Sequence, residues 1–210
     1  MISTYYALVL VAAIWLLLLW VGTRRHGGTC RRWVKLGFGC AAVLLLFFPV
    51  GGLQLWSWTF GLCPNPSFPL LGIICAGLWQ RLFGLEVFKP ADWNATWVFG
   101  AVAGSAIYLH PMVVGSLDLY YWGWEHAISA WGLAALAITF LARGNRLGVL
   151  LLGALIGYSL RALESENAWD YLVDPIYWVV SSAVVVGQII ARASAARREA
   201  KLRLPARAST

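Results

Sequence analysis

Charged residues are scarce in this sequence. Asp, Glu, Lys and Arg make up 12% of its 210 residues, whereas a soluble domain carries about 25%. Apolar residues make up 60% and lie in long runs bounded by charge clusters. Because these runs are continuous rather than alternating, they favour membrane helices over a barrel. We therefore expect an all-α, polytopic transmembrane helix bundle.

Motifs that carry chemistry are also missing. The sequence has no Gly-rich phosphate loop, no Ser/His/Asp set and no His-Glu-x-x-His. The four cysteines are scattered without a Cys-x-x-Cys, which disfavours a zinc site or a disulfide framework. No charged residue lies at the middle of a predicted span, where ionisable groups usually mark transport or proton relays. These absences favour a non-catalytic protein, and no cofactor follows from the sequence.

The apolar segments predict about seven spans. The N-terminal sequence lacks the charged start and cleavage site of a signal peptide, so we expect a retained first helix. The third of these segments, 68–84, is short and is followed by charged residues. If it does not cross, the chain has five spans plus a re-entrant segment. We prefer seven spans, because a short tilted helix is commoner than lipid-exposed irregular backbone. The predicted spans are 4–22, 37–56, 68–84, 96–114, 126–142, 147–163 and 174–192, with Pro49 and Gly51-Gly52 kinking the second.

Positive charge is concentrated in two clusters, although the net charge is only +7. Each cluster adjoins the end of a span, where the positive-inside rule places Lys and Arg. The N-terminus is therefore predicted outside, residues 1–192 form one transmembrane domain, and 193–210 form a basic cytoplasmic tail. The pattern fits a lipid bilayer with secondary contacts to anionic lipid, and it gives no support to nucleic-acid binding. The clusters are Arg24, Arg25, Arg31, Arg32 and Lys35, and Arg192, Arg197, Arg198, Lys201, Arg203 and Arg207.

An acidic, aromatic loop between residues 161 and 175 is the most distinctive stretch. It holds four of the nine acidic residues of the chain. Asp174-Pro175 predicts an N-cap followed by the first residue of the last helix. Asn167 is suited to capping or turning the chain. This loop and a second predicted outer loop at 115–125 contain the candidate functional residues. They are Asp118, Glu125, Glu164, Glu166, Asn167 and Asp170.

The residues of these outer loops suggest two kinds of ligand, a divalent cation and a haem. Glu166 and Asp170 are four residues apart and share a face if a short helix forms, so with acidic residues of the other loop they could hold a divalent cation. His110 and His126 flank that other loop and could ligate a haem. The simpler interpretations are a solvated acidic loop and two interfacial histidines.

Small and aromatic residues have structural interpretations first. Gly100-x-x-x-Gly104 and Gly153-x-x-x-Gly157 let helix backbones approach closely, and we expect internal packing rather than dimerisation. The sequence contains 13 Trp and 8 Tyr. Those near the predicted outer boundaries are typical of an interfacial aromatic belt. A stacking platform for a pigment, quinone or sugar is the alternative.

One resemblance supports this topology. The stretch Glu164-Ser-Glu-Asn-Ala-Trp-Asp-Tyr-Leu-Val-Asp-Pro175, with Leu117-Asp-Leu-Tyr120 before it, resembles a group of small uncharacterised bacterial inner-membrane proteins. The likeness covers the C-terminal half of the chain. It implies a multi-pass protein of the bacterial inner membrane whose acidic loops face the periplasm.

The sequence leaves three functions open. The first is a non-catalytic accessory or structural subunit of a larger envelope or respiratory membrane assembly, with protein partners in the membrane. The second is an enzyme, or an enzyme's partner, acting on a lipid-linked envelope substrate through the acidic loop. The third is a subunit that binds haem, a quinone or a pigment.

The predicted orientation can be tested with two single cysteines in a Cys-free background. A membrane-impermeant maleimide applied to intact cells is expected to label Ser165→Cys, and to label Ser194→Cys only after permeabilisation. The reason is that the two basic clusters hold eleven Lys or Arg, whereas 115–125 and 164–173 hold none. The reverse labelling pattern would overturn the orientation.

Overall fold

The computed structural model describes residues 4–25, 32–109, 120–124 and 126–207. These ranges are mostly helical, which confirms the all-α class. A 3-10 turn covers Tyr121–Trp124, and a short hairpin is formed by β1 (Pro49–Val50) and β2 (Leu53–Gln54). The α-helices are α1 (Thr4–Arg25), α2 (Arg32–Leu46), α3 (Leu55–Leu62), α4 (Phe68–Phe83), α5 (Pro90–Tyr108), α6 (His126–Ala142), α7 (Leu147–Ser159), α8 (Ala168–Leu172) and α9 (Pro175–Arg207).

The hairpin corrects the prediction of one kinked helix over 37–56. Helix α2 ends at Leu46, and β1 pairs antiparallel with β2. Pro49 cannot donate a helical hydrogen bond, and it disfavours helical backbone at the residue before it. Gly51 and Gly52 have φ angles of 57° and 85°, the left-handed values that a two-residue hairpin turn requires. The Pro and Gly signals therefore end the helix instead of bending it.

The longer helices run alternately between two ends of the bundle. We call the end that carries residues 161–174 the loop face, and the end that carries the tight turn 143–146 the turn face. Helices α1 and α4 both begin at the loop face, where Tyr5 stacks on Phe68 with ring centroids 5.1 Å apart. Helix α2 begins at the turn face, where the Lys35 ammonium donates to the carbonyl of Arg81 near the end of α4 at 2.6 Å. Helices α5 and α7 also begin at the turn face, and α6 and α9 at the loop face.

Small residues of α5 allow α9 to pack closely against it. A Cβ atom on Gly104 would lie 2.5 Å from Cδ1 of Trp178, and one on Gly100 would lie 2.6 Å from Cζ of Tyr177. The Tyr177 hydroxyl donates to the backbone carbonyl of Thr96 at 2.5 Å, so the buried phenol is satisfied. This seam packs inside the chain, as predicted.

The second small-residue seam is also internal. Gly157 of α7 faces the ring of Phe68 at the start of α4, and a Cβ atom there would clash with that ring. Leu147, Leu151 and Ala154 on the same helix are fully buried. They belong to the main core, which α4, α5, α6, α8 and α9 complete.

Among the described residues, two helices are long and apolar enough to cross a membrane, over Thr4–Thr23 and Pro175–Arg198. Only 22% and 6% of the residues in these windows are buried inside the protein. On α9, for example, Val179, Ile189 and Ile190 are each more than half exposed. Such an apolar exterior suits contact with lipid rather than water. The shorter apolar helices are Phe68–Phe83, Ala130–Ala142 and Leu147–Ser159.

The packing of α5 on α9 predicts opposite effects for two Gly→Ala substitutions. Gly104→Ala is expected to lower the free energy of unfolding by about 1–3 kcal/mol, because the new methyl group overlaps Trp178. Gly187→Ala on the open side of α9 is the control, and its higher helix propensity should add about 0.5–1 kcal/mol. Thermal unfolding in detergent measures both. Equal effects of the two substitutions would contradict the close approach.

Candidate functional site

Asp174 joins the beginnings of two helices at the loop face. Its Oδ1 accepts from the backbone N–H of Tyr177 at 2.8 Å, so it caps α9, and Pro175 is the first residue of that helix. Its Oδ2 accepts from the backbone N–H and the hydroxyl of Ser67 at 2.8 and 2.6 Å. Ser67 is itself the N-cap of α4 and accepts from Leu70 N. Asp174 is 1% exposed, and these three donors compensate for the loss of hydration of its carboxylate.

Asp92 makes the corresponding connection at the turn face. One carboxylate oxygen accepts from the N–H of Lys89, the N-cap of α5, at 2.9 Å. The other accepts from the N–H of Arg146, the N-cap of α7, at 3.0 Å. Asp92 is as buried as Asp174. Each buried aspartate therefore fixes two helix starts that are far apart in sequence.

Asn167 holds the acidic loop against the 3-10 turn. Its Oδ1 accepts from Trp169 N at 2.9 Å and caps α8, in agreement with the prediction that it caps or turns the chain. Its Nδ2 donates to the carbonyl of Tyr120 at 3.0 Å, and the side chain is fully buried. Gly123 lies directly against it, and a Cβ atom there would come within 2.7 Å of Asn167 Cγ. Only glycine fits at this contact.

Tyr171 holds the backbone of the acidic loop through hydrogen bonds of its hydroxyl. Its hydroxyl donates to the carbonyl of Ser165 at 3.0 Å and accepts from the N–H of Leu163 at 3.2 Å. Its ring packs edge-on against Tyr158, with centroids 5.3 Å apart. At the start of the loop, Arg161 adopts a φ angle of 50° and ends α7 in a left-handed conformation that usually requires glycine. The path of residues 161–165 is therefore fixed by backbone contacts.

Asp170 is the half-buried carboxylate of the loop. It accepts from the Tyr120 hydroxyl at 3.1 Å and from the Ser165 hydroxyl. Burial raises the pKa of Asp170 above its ordinary value, and the negative charge of Asp174 raises it further. The hydrogen bonds from Ser165 and Tyr120 act in the opposite direction, because they stabilise the charged form.

A cavity of about 480 Å³ opens beside these aspartates. Cys63 lies in its wall, beside the negative charge of Asp174. Burial, with the adjacent Asp174 charge, raises the pKa of this thiol to about 12, so the thiol stays protonated and unreactive at neutral pH. The polar groups in the wall are suited to hydrogen bonding. The lining residues are Leu62, Cys63, Pro64, Asn65, Ile107, Tyr108, Tyr120, Asp170, Asp174 and Pro175.

The structure does not place the two residues proposed as metal ligands on one helical face. Helix α8 begins at Ala168, so Glu166 precedes it and does not share a helical face with Asp170. Glu166 is exposed and lines a surface pocket of about 340 Å³ with Arg161 and Glu164. Asp170 lines the larger cavity. Within the described ranges, no three His, Cys, Asp or Glu side chains form a group that could hold a metal ion.

Several predicted site residues lie outside the described residues. Asp118, Glu125 and His110 fall in the undescribed stretches. His126 begins α6, but its side chain is likewise not among the described ones. The haem hypothesis and the contribution of the second acidic loop therefore stay predictions.

The partners that hold the loop in place were not predicted from the sequence. Ser67 was detectable, because a serine two residues before Pro69 is a typical helix N-cap signal. Tyr120 and Tyr171 carried no local signal beyond a general enrichment of aromatic residues. Their hydrogen bonds depend on distances across the fold, which spacing in the sequence does not encode.

Loss of the Asp174 carboxylate is expected to destabilise the protein strongly. Asp174→Ala removes the cap of α9 and leaves the buried Ser67 N–H unpartnered, a combined cost of about 2–4 kcal/mol. Glu166→Gln, on the exposed rim of the same loop, is the control and should change stability by less than about 0.5 kcal/mol. Thermal unfolding in detergent distinguishes them. A small effect of Asp174→Ala would mean that the two helix starts are held by other contacts.

Comparisons of the whole chain give no support to any family assignment. No protein-family model, curated protein or solved structure matches the chain. The resemblance of residues 164–175 to small bacterial inner-membrane proteins stays a prediction.

Proposed function

We propose that this chain is a multi-pass protein of the bacterial inner membrane, with seven crossing helices and the loop face in the periplasm. We further propose that it acts as a non-catalytic accessory subunit, docking through the loop face on a larger envelope or respiratory assembly. The observation that carries the second proposal is the difference in burial among the acidic side chains of residues 161–174. Those that are buried hold the fold, and those that are exposed are free to meet a partner.

The alternating helices and the charges at their ends support the seven-span arrangement. Helices α1, α2, α4, α5, α6, α7 and α9 each run from one face to the other. The turn face carries an excess of cations, as the cytoplasmic side of a membrane protein does. Its described cations include Arg32, Lys35, Arg81, Lys89, Arg143 and Arg146, whereas the loop face has Glu164, Glu166, Asp170 and Asp174 with Arg161.

The short helices are compatible with this arrangement. Helix α7 has 13 residues and rises about 20 Å, less than the roughly 30 Å of a bilayer core. A short hydrophobic stretch is accommodated by local thinning of the bilayer at modest cost. One side of α7 is also packed in the core, through Leu147, Leu151 and Ala154, so only part of its surface meets lipid.

The exposed side chains of the loop form a preorganised docking surface. Arg161, Glu164 and Glu166 are exposed and share one surface pocket. The backbone beneath them is tied by the Tyr171 hydroxyl and by the bond from Glu164 N to Asn65 Oδ1 at 3.3 Å. A partner that binds a rigid surface loses less conformational entropy on association. Rim charges of this kind govern association rate and partner choice.

The two alternative functions have less support. An enzyme acting through Glu166 and Asp170 would need both carboxylates at one substrate, but they open onto different pockets. A haem-binding subunit depends on His110 and His126, to which the described side chains add nothing. The docking proposal uses contacts that are present.

Removal of the exposed acidic charges tests the docking proposal. In native membranes solubilised with mild detergent, the wild-type chain is expected to migrate in an assembly larger than its own 23.1 kDa mass. Replacing both Glu164 and Glu166 with Gln should lower the association constant about fivefold, because each rim charge contributes about 0.5 kcal/mol. Native gel electrophoresis with immunodetection measures the proportion of the chain that migrates in the larger assembly.

Glu86→Gln provides the matched control, because Glu86 is an exposed acid at the opposite, turn face. It should leave the assembly unchanged. A wild-type chain that migrates alone in several mild detergents would overturn the docking proposal. So would a double Gln variant that assembles as well as the wild type.

A further inference from the structure

A groove of about 670 Å³ lies at the turn face between α1, α2 and α4. It is distant from the acidic loop and has no part in the docking proposal. Its lining consists of two cationic side chains and four apolar or aromatic side chains. The lining residues are Trp15, Arg32, Lys35, Leu36, Leu82 and Phe83.

The two cations are arranged to receive an anion. The Lys35 ammonium donates to the carbonyls of Arg81 and Leu82 at 2.6 and 3.1 Å, which holds it in place and leaves its third N–H for a ligand. Arg32 is exposed, and its guanidinium offers a fork of donors that matches phosphate oxygens. No carboxylate occurs among the described lining residues, so nothing there neutralises the pair.

The apolar wall of the groove is equally well defined. The indole N–H of Trp15 donates to the carbonyl of Lys35 at 2.9 Å, which fixes α1 against α2. The Trp15 ring packs against Gly39, where a Cβ atom would lie 3.1 Å from Cε2. Leu36 and Phe83 are exposed along the opening. These contacts form the groove before any ligand binds.

We propose that this groove binds an anionic phospholipid, with its phosphate on Arg32 and Lys35 and its acyl chains along Leu36, Leu82 and Phe83. A free phosphate would satisfy the cations but would leave the apolar wall unused, whereas a phospholipid matches both parts. Basic pockets between helices at the cytoplasmic surface are suited to such headgroups. The inference rests on the proposed membrane location and orientation, and it adds a specific lipid ligand at the face opposite the docking surface.

Lipid binding by the purified full-length chain tests the proposal. In a neutral detergent, native mass spectrometry would compare dioctanoyl phosphatidylglycerol with dioctanoyl phosphatidylcholine at equal concentrations. We expect several-fold preference for phosphatidylglycerol, and Arg32→Gln should weaken its binding about fivefold, as the loss of one cation near a headgroup implies. Arg32→Lys should stay within about twofold of wild type, because the charge is retained.

Three results would overturn the proposal. The first is equal binding of the two lipids by the wild type. The second is an equal loss of binding in Arg143→Gln, a matched control that removes an exposed arginine of the turn face outside the groove. The third is binding of glycerol 3-phosphate as tight as that of phosphatidylglycerol, which would assign the groove to a free phosphate.

Membrane fractionation of the wild-type chain separates this inference from the proposed function. Recovery outside the membrane fraction would refute the membrane location, and the lipid proposal with it. Recovery in the membrane fraction, together with equal binding of the two lipids, would refute the lipid site alone.

Discussion

The sharing of one buried carboxylate between two helix starts is the constraint on which the rest of this structure depends. Asp174 accepts from Tyr177 N of α9 and from Ser67 N beside α4, although residues 67 and 174 are 107 positions apart. A buried carboxylate is stable only when hydrogen bonds replace its hydration, so its donors must stay in place. Fixing the start of α9 also fixes the loop that precedes it, and therefore the cavity and the exposed rim. The site is thus a consequence of helix capping more than of any catalytic arrangement.

Apolar patterning predicted most helices, and it was wrong where backbone conformation or a distant partner decided the outcome. The segment 126–142 matches α6, and 68–84 exceeds α4 by one residue. The hairpin after Leu46 was missed, because a proline followed by two glycines is compatible with either a kink or a turn, and only the positive φ angles decide. The start of α5 was placed six residues too late. Asp92 resembles a solvated loop residue in the sequence, whereas in the structure a backbone donor from residue 146 makes its burial possible.

The candidate site shows the same limit. The capping roles of Asp174 and Asn167 were predictable, since each depends on residues within three positions of it. The predicted pairing of Glu166 with Asp170 assumed one helix that contains both residues. In the structure Asn167 is the N-cap and α8 begins at Ala168, so Glu166 lies outside the helix. Tyr120 lies 50 positions from its partner Asp170, so no local pattern connects them. Local chemistry was therefore visible in the sequence, and the assembly of the cavity was not.

Helix polarity connects the charge distribution to the fold. Helices begin with unpaired N–H groups and end with unpaired carbonyls, so acceptors are needed at starts and donors at ends. At the loop face, α4, α8 and α9 begin, and Ser67, Asn167 and Asp174 supply the acceptors. At the turn face α4 ends, and Lys35 donates to its last carbonyls. Asp92 accepts from the starts of α5 and α7, two of the helices that begin at this face. The capping carboxylates, Asp174 at the loop face and Asp92 at the turn face, are buried and hydrogen-bonded, whereas Arg32 and Arg143 remain exposed at the turn face. The turn face therefore keeps accessible cations while its capping carboxylate Asp92 is buried, and this charge asymmetry agrees with the proposed orientation.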